Sequence, residues 1–236
     1  MKLAIAFMVI QAGFLERQLQ FERVRKAFQE KSAVVEASFT EAGLSYPPRE
    51  VFIRVFKHEA VLELWARDKR SLPYKFVKKY EICASSGTLG PKRREGDLQV
   101  PEGVYHIDVF NPLSKYHLSM RVSYPNESDK ILGYKPALGG DIYIHGDCVT
   151  IGCLPITDEG IKELYITAVM AKSNGQQVIA VHIFPTRLDE QGFKILNARS
   201  QFLEFWQNLR PLYEYFEKHR LLPSVKVDNR GNYFID

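Results

Sequence analysis

The sequence predicts an α+β fold, sheet-rich in its centre and extended by helices at both ends. Three observations carry the prediction. Short runs rich in Val, Ile, Phe and Tyr, bounded by turn residues, recur between Val51 and Phe184, as strands do. Ahead of them, Leu19, Phe21, Val24, Phe28, Val35 and Phe39 recur near helical spacing. Behind them, Phe202, Phe205, Trp206, Leu209, Leu212, Tyr213 and Phe216 do the same. A chain of 236 residues, 45% hydrophobic and 25% charged, can bury a sizeable core.

Residues 1–14 open with Lys2 and an apolar run too short to span a bilayer, the form of a short secretory signal. The competing reading makes this run the start of the next helix. Residues 15–49 form an N-terminal helical segment, with Gly43 placed as its C-terminal cap and Tyr46-Pro47-Pro48 closing it. The central domain spans 50–186. Val51 to Phe56 and Val61 to Ala66 read as a hairpin-like pair joined by Lys57 to Ala60. Further strands are expected at Lys78 to Ala84, Val104 to Val109, Tyr116 to Val122, Asp141 to Ile144 and Val178 to Phe184. Thr157-Asp158-Glu159 gives a helix start, a capping side chain followed by two acids, with Ile161, Leu164, Tyr165, Ala168 and Val169 on one face. Residues 187–236 make a C-terminal helical extension and a closing hairpin around Asn229-Arg230-Gly231. Its aromatic face reads as core packing, with a lid or docking surface as the competing reading, and Pro211 should kink or split the helix.

A net charge of +4 spread along the chain, without an aromatic-interleaved basic stripe, argues against nucleic-acid binding; it suits an anionic polymer without singling one out. Three cysteines leave at least one free thiol even in an oxidising compartment.

The chemistry concentrates in Ile142 to Cys153, which sets His145, Cys148 and Cys153 within twelve residues. A strand ends at His145 and Gly146-Asp147 turns the chain. Cys153 lies a few residues before the next helix, where a helix N-terminus or nearby positive charge lowers a thiol pKa from about 8.5 and an imidazole can take the thiol proton. His145 and Cys148 are three apart and diverge on an extended strand; Cys153 can return beside His145 after the loop. Cys153 is therefore the expected nucleophile and His145 the base. Gly152 clears space for a substrate carbonyl and leaves the N–H groups of Gly152 and Cys153 to face an oxyanion. Asp147 either orients His145 or bonds its own backbone. Three competing readings are a zinc site, which lacks a fourth ligand, a reversible Cys148–Cys153 disulfide, and small apolar core residues. No cofactor or metal is expected.

The run from His145 to Cys153, followed by Thr157-Asp158-Glu159-Gly160, resembles the catalytic signature of the L,D-transpeptidase (YkuD-type) family, and most closely its YafK-like subgroup. Gly87 to Lys92, Glu95-Gly96-Asp97 and Pro101 to Tyr105 resemble the same family's strand-loop-strand entry. The resemblance implies a sheet-rich YkuD-type domain acting on peptidoglycan stem peptides in the periplasm or cell envelope. It implies Cys153 as the acylated nucleophile, His145 as general base, Gly152 and Cys153 as oxyanion donors, and Gly146, Thr150, Tyr124 and Asn126 along the substrate path. Thr150 stands where many members carry serine. Ile151 replaces a histidine and Leu154-Pro155 a polar position, which weighs against cross-linking. For the subgroup the implied reaction is cleavage of the amide joining an outer-membrane lipoprotein to meso-diaminopimelate, with water resolving a thioester. The alternatives are stem-peptide cross-linking or lipoprotein attachment and, in another class, a catalytically silent peptidoglycan-binding module.

Overall fold

The computed structural model describes residues 13–196 and 201–236; most of the proposed signal segment, 1–14, lies outside them. The N-terminal segment is helical over 13–19 and again in α1 (Glu22–Glu41). Gly43 stands just past its end at φ +63° and donates to the Thr40 carbonyl, which is the expected glycine cap.

Strands β1 (Glu50–Phe56) and β2 (Val61–Arg67) form the expected antiparallel hairpin, and β3 (Lys75–Glu81) pairs along β2. After these come β4 (Gly103–Asn111), β5 (Ser119–Val122), a short helix α2 (Glu127–Leu132), β6 (Tyr143–His145) and the two-residue β7 (Leu154–Pro155). The capping residue Thr157 starts α3 (Asp158–Ser173) by accepting from the N–H of Gly160 at 3.1 Å, and β8 (Ala180–Phe184) returns parallel to β1. The tail holds α4 (Glu190–Leu196), α5 (Leu203–His219) and the β9 (Val225–Val227), β10 (Tyr233–Ile235) hairpin. Several details differ from the expectations: β3 lies at Lys75–Glu81 rather than Lys78 to Ala84, β6 at Tyr143–His145 rather than Asp141 to Ile144, and β8 starts at Ala180 rather than Val178. Tyr116 lies in a turn ahead of β5. Pro211 leaves α5 unbroken because it faces solvent, where water can serve the carbonyl freed by its missing N–H.

The main sheet runs β3-β2-β1-β8-β4-β5-β6-β7. It curls until its two edges meet: just past β3, the N–H of Cys83 donates to the carbonyl of Pro155 in β7 at 3.1 Å. A Cys83–Cys148 disulfide, Cα to Cα 5.4 Å, staples the same seam. This corrects the candidate Cys148–Cys153 bridge: the curl brings the distant Cys83 to Cys148 and leaves Cys153 free. It also removes Cys148 from any zinc set.

Alternation along β1 builds a core on each face. Val51, Ile53 and Val55 pack with α1 and α3 through Val24, Phe39, Ile161 and Leu164. Phe56 joins Phe184, Trp206, Leu209 and Tyr213 under α5, so the aromatic stripe is core packing. Arg54, only 1% exposed, lies on that second face. Its guanidinium sits 4.8 Å from the Tyr213 and Phe216 ring centres and 2.6 Å from Glu217, the charge partner that so deep a cation requires.

Candidate active site

At the sheet's closing edge a strand, β6, ends on the histidine, and the cysteine lies in the loop just ahead of β7. In the parallel β6–β7 ladder Ile144 pairs with Leu154 and His145 with Pro155, and the Ile144 and Leu154 side chains are buried in the core. Alternation puts Tyr143, His145 and Cys153 on the opposite face. Cys153 follows the register back to a place beside Tyr143, one side-chain step from His145. The eight-residue separation in sequence thus becomes a diagonal neighbour relation on one sheet face.

His145 is 1% exposed and lies beneath the ring of Tyr116, centroid to centroid 4.7 Å at 33°. Its Nδ1 meets the carbonyl oxygen of Gly146. A carbonyl only accepts, so Nδ1 carries the hydrogen and Nε2 of the neutral ring is the free acceptor. Burial pushes the imidazole pKa below its usual 6.5, against the opposing pull of the Gly146 carbonyl and Asp147. Asp147 does not orient the ring; its Oδ1 accepts the N–H of Cys148 at 2.7 Å, the local backbone bond typical of a turn aspartate.

The Cys153 sulfur is a free, half-buried thiol. It receives the Tyr143 N–H at 3.4 Å and donates to the Asp141 carbonyl at 3.5 Å. Burial raises its pKa, with the Tyr143 N–H as the main opposing contribution. The expected lowering by a helix N-terminus is not built here, because α3 begins five residues later at Asp158. Resting thiol and resting imidazole are therefore both uncharged at neutral pH.

The loop between them is braced throughout. The side-chain oxygen of Thr150 accepts from the N–H of Gly152 at 3.1 Å and of Cys153 at 2.8 Å, and its hydroxyl donates to the Cys153 carbonyl at 2.9 Å. The two N–H groups expected to face an oxyanion are engaged by Thr150, and the backbone donor aimed at the sulfur is that of Tyr143. Gly152 sits at φ +135°, with the Gln99 carbonyl oxygen 3.2 Å from where a Cβ would stand, so glycine is required by conformation and the space beside it is taken by backbone.

Cys153 and Leu154 open onto a cleft of about 440 Å³ walled by Ile82, the Ser85 to Leu89 loop, Lys57 and, from α4, Ile195. Lys57 is fixed in the wall by Glu102 at 2.8 Å and by the carbonyls of Gly90 and Val100. Tyr124 and Asn126 are not on this cleft. Tyr124 is 6% exposed and donates to the Leu138 carbonyl. Asn126 caps α2 through Asp129 and bonds the Val104 carbonyl and the Tyr233 hydroxyl. In the loop that follows Leu89, Lys92 pairs with Asp97 at 2.7 Å and Arg93 with Asp129 at 3.3 Å. Sequence reading missed Tyr116 and Cys83, whose spacing from the motif carries no signal, and the backbone N–H of Tyr143, which lies within the motif but shows its role only through the strand register.

The fold is thus an α+β one in which a free cysteine lines a cleft and a carbonyl-held histidine lies on the same face of the curled sheet. The L,D-transpeptidase catalytic-domain (YkuD) model matches residues 50–179, and the chain belongs to that family. It is 38% identical over 187 residues to the protein named "Putative L,D-transpeptidase YafK" in Escherichia coli K12, covering 78% of this chain and 73% of that one; the O157:H7 protein of the same name matches equally. Among solved structures, the helical cell shape determining protein Pgp2 of Campylobacter jejuni aligns at TM-score 0.46 and 15% identity, over 83% of this chain and 80% of that one.

Proposed function

We propose that this protein acts on peptidoglycan stem peptides through a Cys153 thioester, and that it hydrolyses the amide joining an outer-membrane lipoprotein to meso-diaminopimelate. The observation that supports it best is the free Cys153 thiol lining the cleft on the same sheet face as a neutral imidazole whose Nε2 is an acceptor. As the sulfur attacks the substrate carbonyl, Nε2 takes the thiol proton. Collapse of the tetrahedral intermediate breaks the C–N bond, the imidazolium returns that proton to the leaving amine, and the acyl group stays on sulfur. Water, deprotonated by the same imidazole, then cleaves the thioester, freeing the carboxylate and the thiol. Developing oxygen charge needs backbone donors. The Tyr143 N–H already donates to the sulfur at 3.4 Å, and the N–H groups of Gly152 and Cys153 join it once Thr150 yields them.

The preference for water rests on the residues flanking the nucleophile. Leu154 and Pro155 are buried strand residues and Ile151 is an exposed apolar side chain, so these positions offer no polar group to an incoming amine. Similarity to the YafK proteins supports the same substrate class. Work outside the cytoplasm accords with the Cys83–Cys148 disulfide, which persists in oxidising compartments. Among the described residues no helix is long and apolar enough to cross a membrane.

The test is mass spectrometry of products after incubating the protein and Cys153→Ala with lipoprotein-bearing peptidoglycan fragments and free tetrapeptide fragments. Release of the lipoprotein end by the unaltered protein alone is the expected result. Cross-linked dimers would replace hydrolysis by transpeptidation, and no product from either would favour a binding module.

A further inference from the structure

We propose that Asp158, the first residue of α3, is the positioning residue for His145 and acts through the single peptide unit between Gly146 and Asp147. The inference rests on the reading that His145 activates Cys153. One end of that peptide unit, the Gly146 carbonyl, accepts from His145 Nδ1. The other end, the N–H of Asp147, donates to Asp158 Oδ1 at 2.8 Å. A trans peptide is planar and holds its N–H and C=O pointing in opposite directions, so carboxylate, peptide and imidazole form one chain of hydrogen bonds.

That arrangement acts in two ways. Fixing the N–H end fixes the plane of the peptide and hence the direction of the carbonyl that aims the imidazole. A carboxylate on the N–H also polarises the peptide and makes its carbonyl a better acceptor, which favours the imidazolium formed when His145 takes the thiol proton. The part played by the aspartate in a Ser-His-Asp triad is here relayed through one peptide.

The residue choice around the turn agrees. Asp158 Oδ1 lies 2.5 Å from where a Cβ on Gly146 would stand, and His117 Cβ and Ile161 Cγ2 each lie 3.0 Å from it. Only glycine leaves room for the carboxylate to reach over the turn. The Gly146 N–H is held by the Leu118 carbonyl at 3.2 Å, so α3 clamps the turn on one side and the His117–Leu118 segment on the other. His117, its Nδ1 4.0 Å from Asp158 Oδ2, is kept from charging easily by burial, with Asp158 opposing. Lys162 and Glu159 are the other α3 charges at this place and pair with each other at 2.7 Å.

The experiment measures, on the full chain, the rate of Cys153 alkylation by iodoacetamide against pH, together with kcat and KM on peptidoglycan fragments, for Asp158→Ala, Asp158→Asn, Glu159→Ala and His145→Ala. Asp158→Ala is expected to slow alkylation towards the His145→Ala rate and to lower kcat about 10- to 100-fold with KM little changed, as misaimed catalytic groups do. Asp158→Asn keeps an oxygen acceptor without the charge and is expected to fall between Asp158→Ala and the unaltered protein. Glu159→Ala removes an acid from the same helical turn and should leave the alkylation profile where it was. If His145→Ala slows alkylation while both Asp158 variants match the unaltered protein, the relay is wrong and the Cys–His reading survives. If His145→Ala itself changes nothing, that reading fails too. Should Asp158→Ala not fold, the Asp158→Asn profile decides, and equality with the unaltered protein overturns the proposal.

Discussion

His145 is carried by a strand and Cys153 by a loop, and the two are held in place by different forces. His145 sits inside the sheet, between β5 and β7, with Ser119 and Pro155 as its ladder partners and Tyr116 over its ring. Its position is inherited from the core. Cys153 ends a segment with no ladder of its own from Gly146 to Gly152. That segment depends on the Cys83–Cys148 disulfide, the Thr150 hydroxyl and the Asp158 carboxylate. The histidine is packed on every side, and the cysteine is left on a loop fastened at a few points, an arrangement that suits the base and nucleophile roles proposed for them.

The largest effects should come from the two reacting groups. Cys153→Ala is expected to abolish product formation, and His145→Ala to lower it by about 10²- to 10⁴-fold, both read by product mass spectrometry, with near-native folding by circular dichroism. Substantial turnover by Cys153→Ala would break the comparison outright.

Next is the fastening of the loop. The disulfide spans 65 residues of sequence, and the paired Cys83→Ser, Cys148→Ser variant should lose about 4 kcal/mol of unfolding free energy. Denaturant titration with and without reductant measures this loss, and turnover should fall because the seam beside Cys153 opens. Loss of stability with undiminished turnover would show that the loop does not need its staple.

Smaller is the Thr150 brace. Thr150→Ala leaves two N–H groups without their acceptor and should cost roughly 1–3 kcal/mol, with reduced turnover, while Thr150→Ser restores both. If Thr150→Ala instead accelerates turnover, freeing those donors for the oxyanion outweighs the bracing of the loop.

The smallest concerns the packed side. Only the neutral imidazole can accept the thiol proton, so kcat/KM should fall as pH drops through a pKa below 6.5. Tyr116→Ala uncovers the ring and weakens the burial that lowers this pKa. The acid limb of the profile should therefore move up towards 6.5. An unmoved limb would mean that Tyr116 does not contribute to the burial.

Much of this was legible in the chain. The β1–β2 hairpin, the Thr157-capped helix and the aromatic face of α5 come from local pattern, because one buried face imposes a period of 2 on strands and 3.6 on helices. The family was legible because histidine, glycine and cysteine at that spacing fit few other uses. The Tyr124 and Asn126 assignments fared differently, since nothing local says that Asn126 is a helix cap reaching Tyr233, 107 residues away. The helix-lowered thiol was also misplaced, because proximity in sequence to α3 is not proximity to its amide groups.

The sequence by itself determined the α+β class, the order of the main elements and the motif that marks the family, since these depend on periodicity and on residues within a dozen positions. Only the tertiary structure decided that Cys83 takes Cys148, that Thr150 occupies the loop's N–H groups, and that burial keeps His145 and Cys153 neutral. The first depends on the sheet curling until β3 and β7 meet, which joins groups 65 residues apart whose separation carries no trace of their contact. The other two depend on how the loop turns and how the strands pack around it.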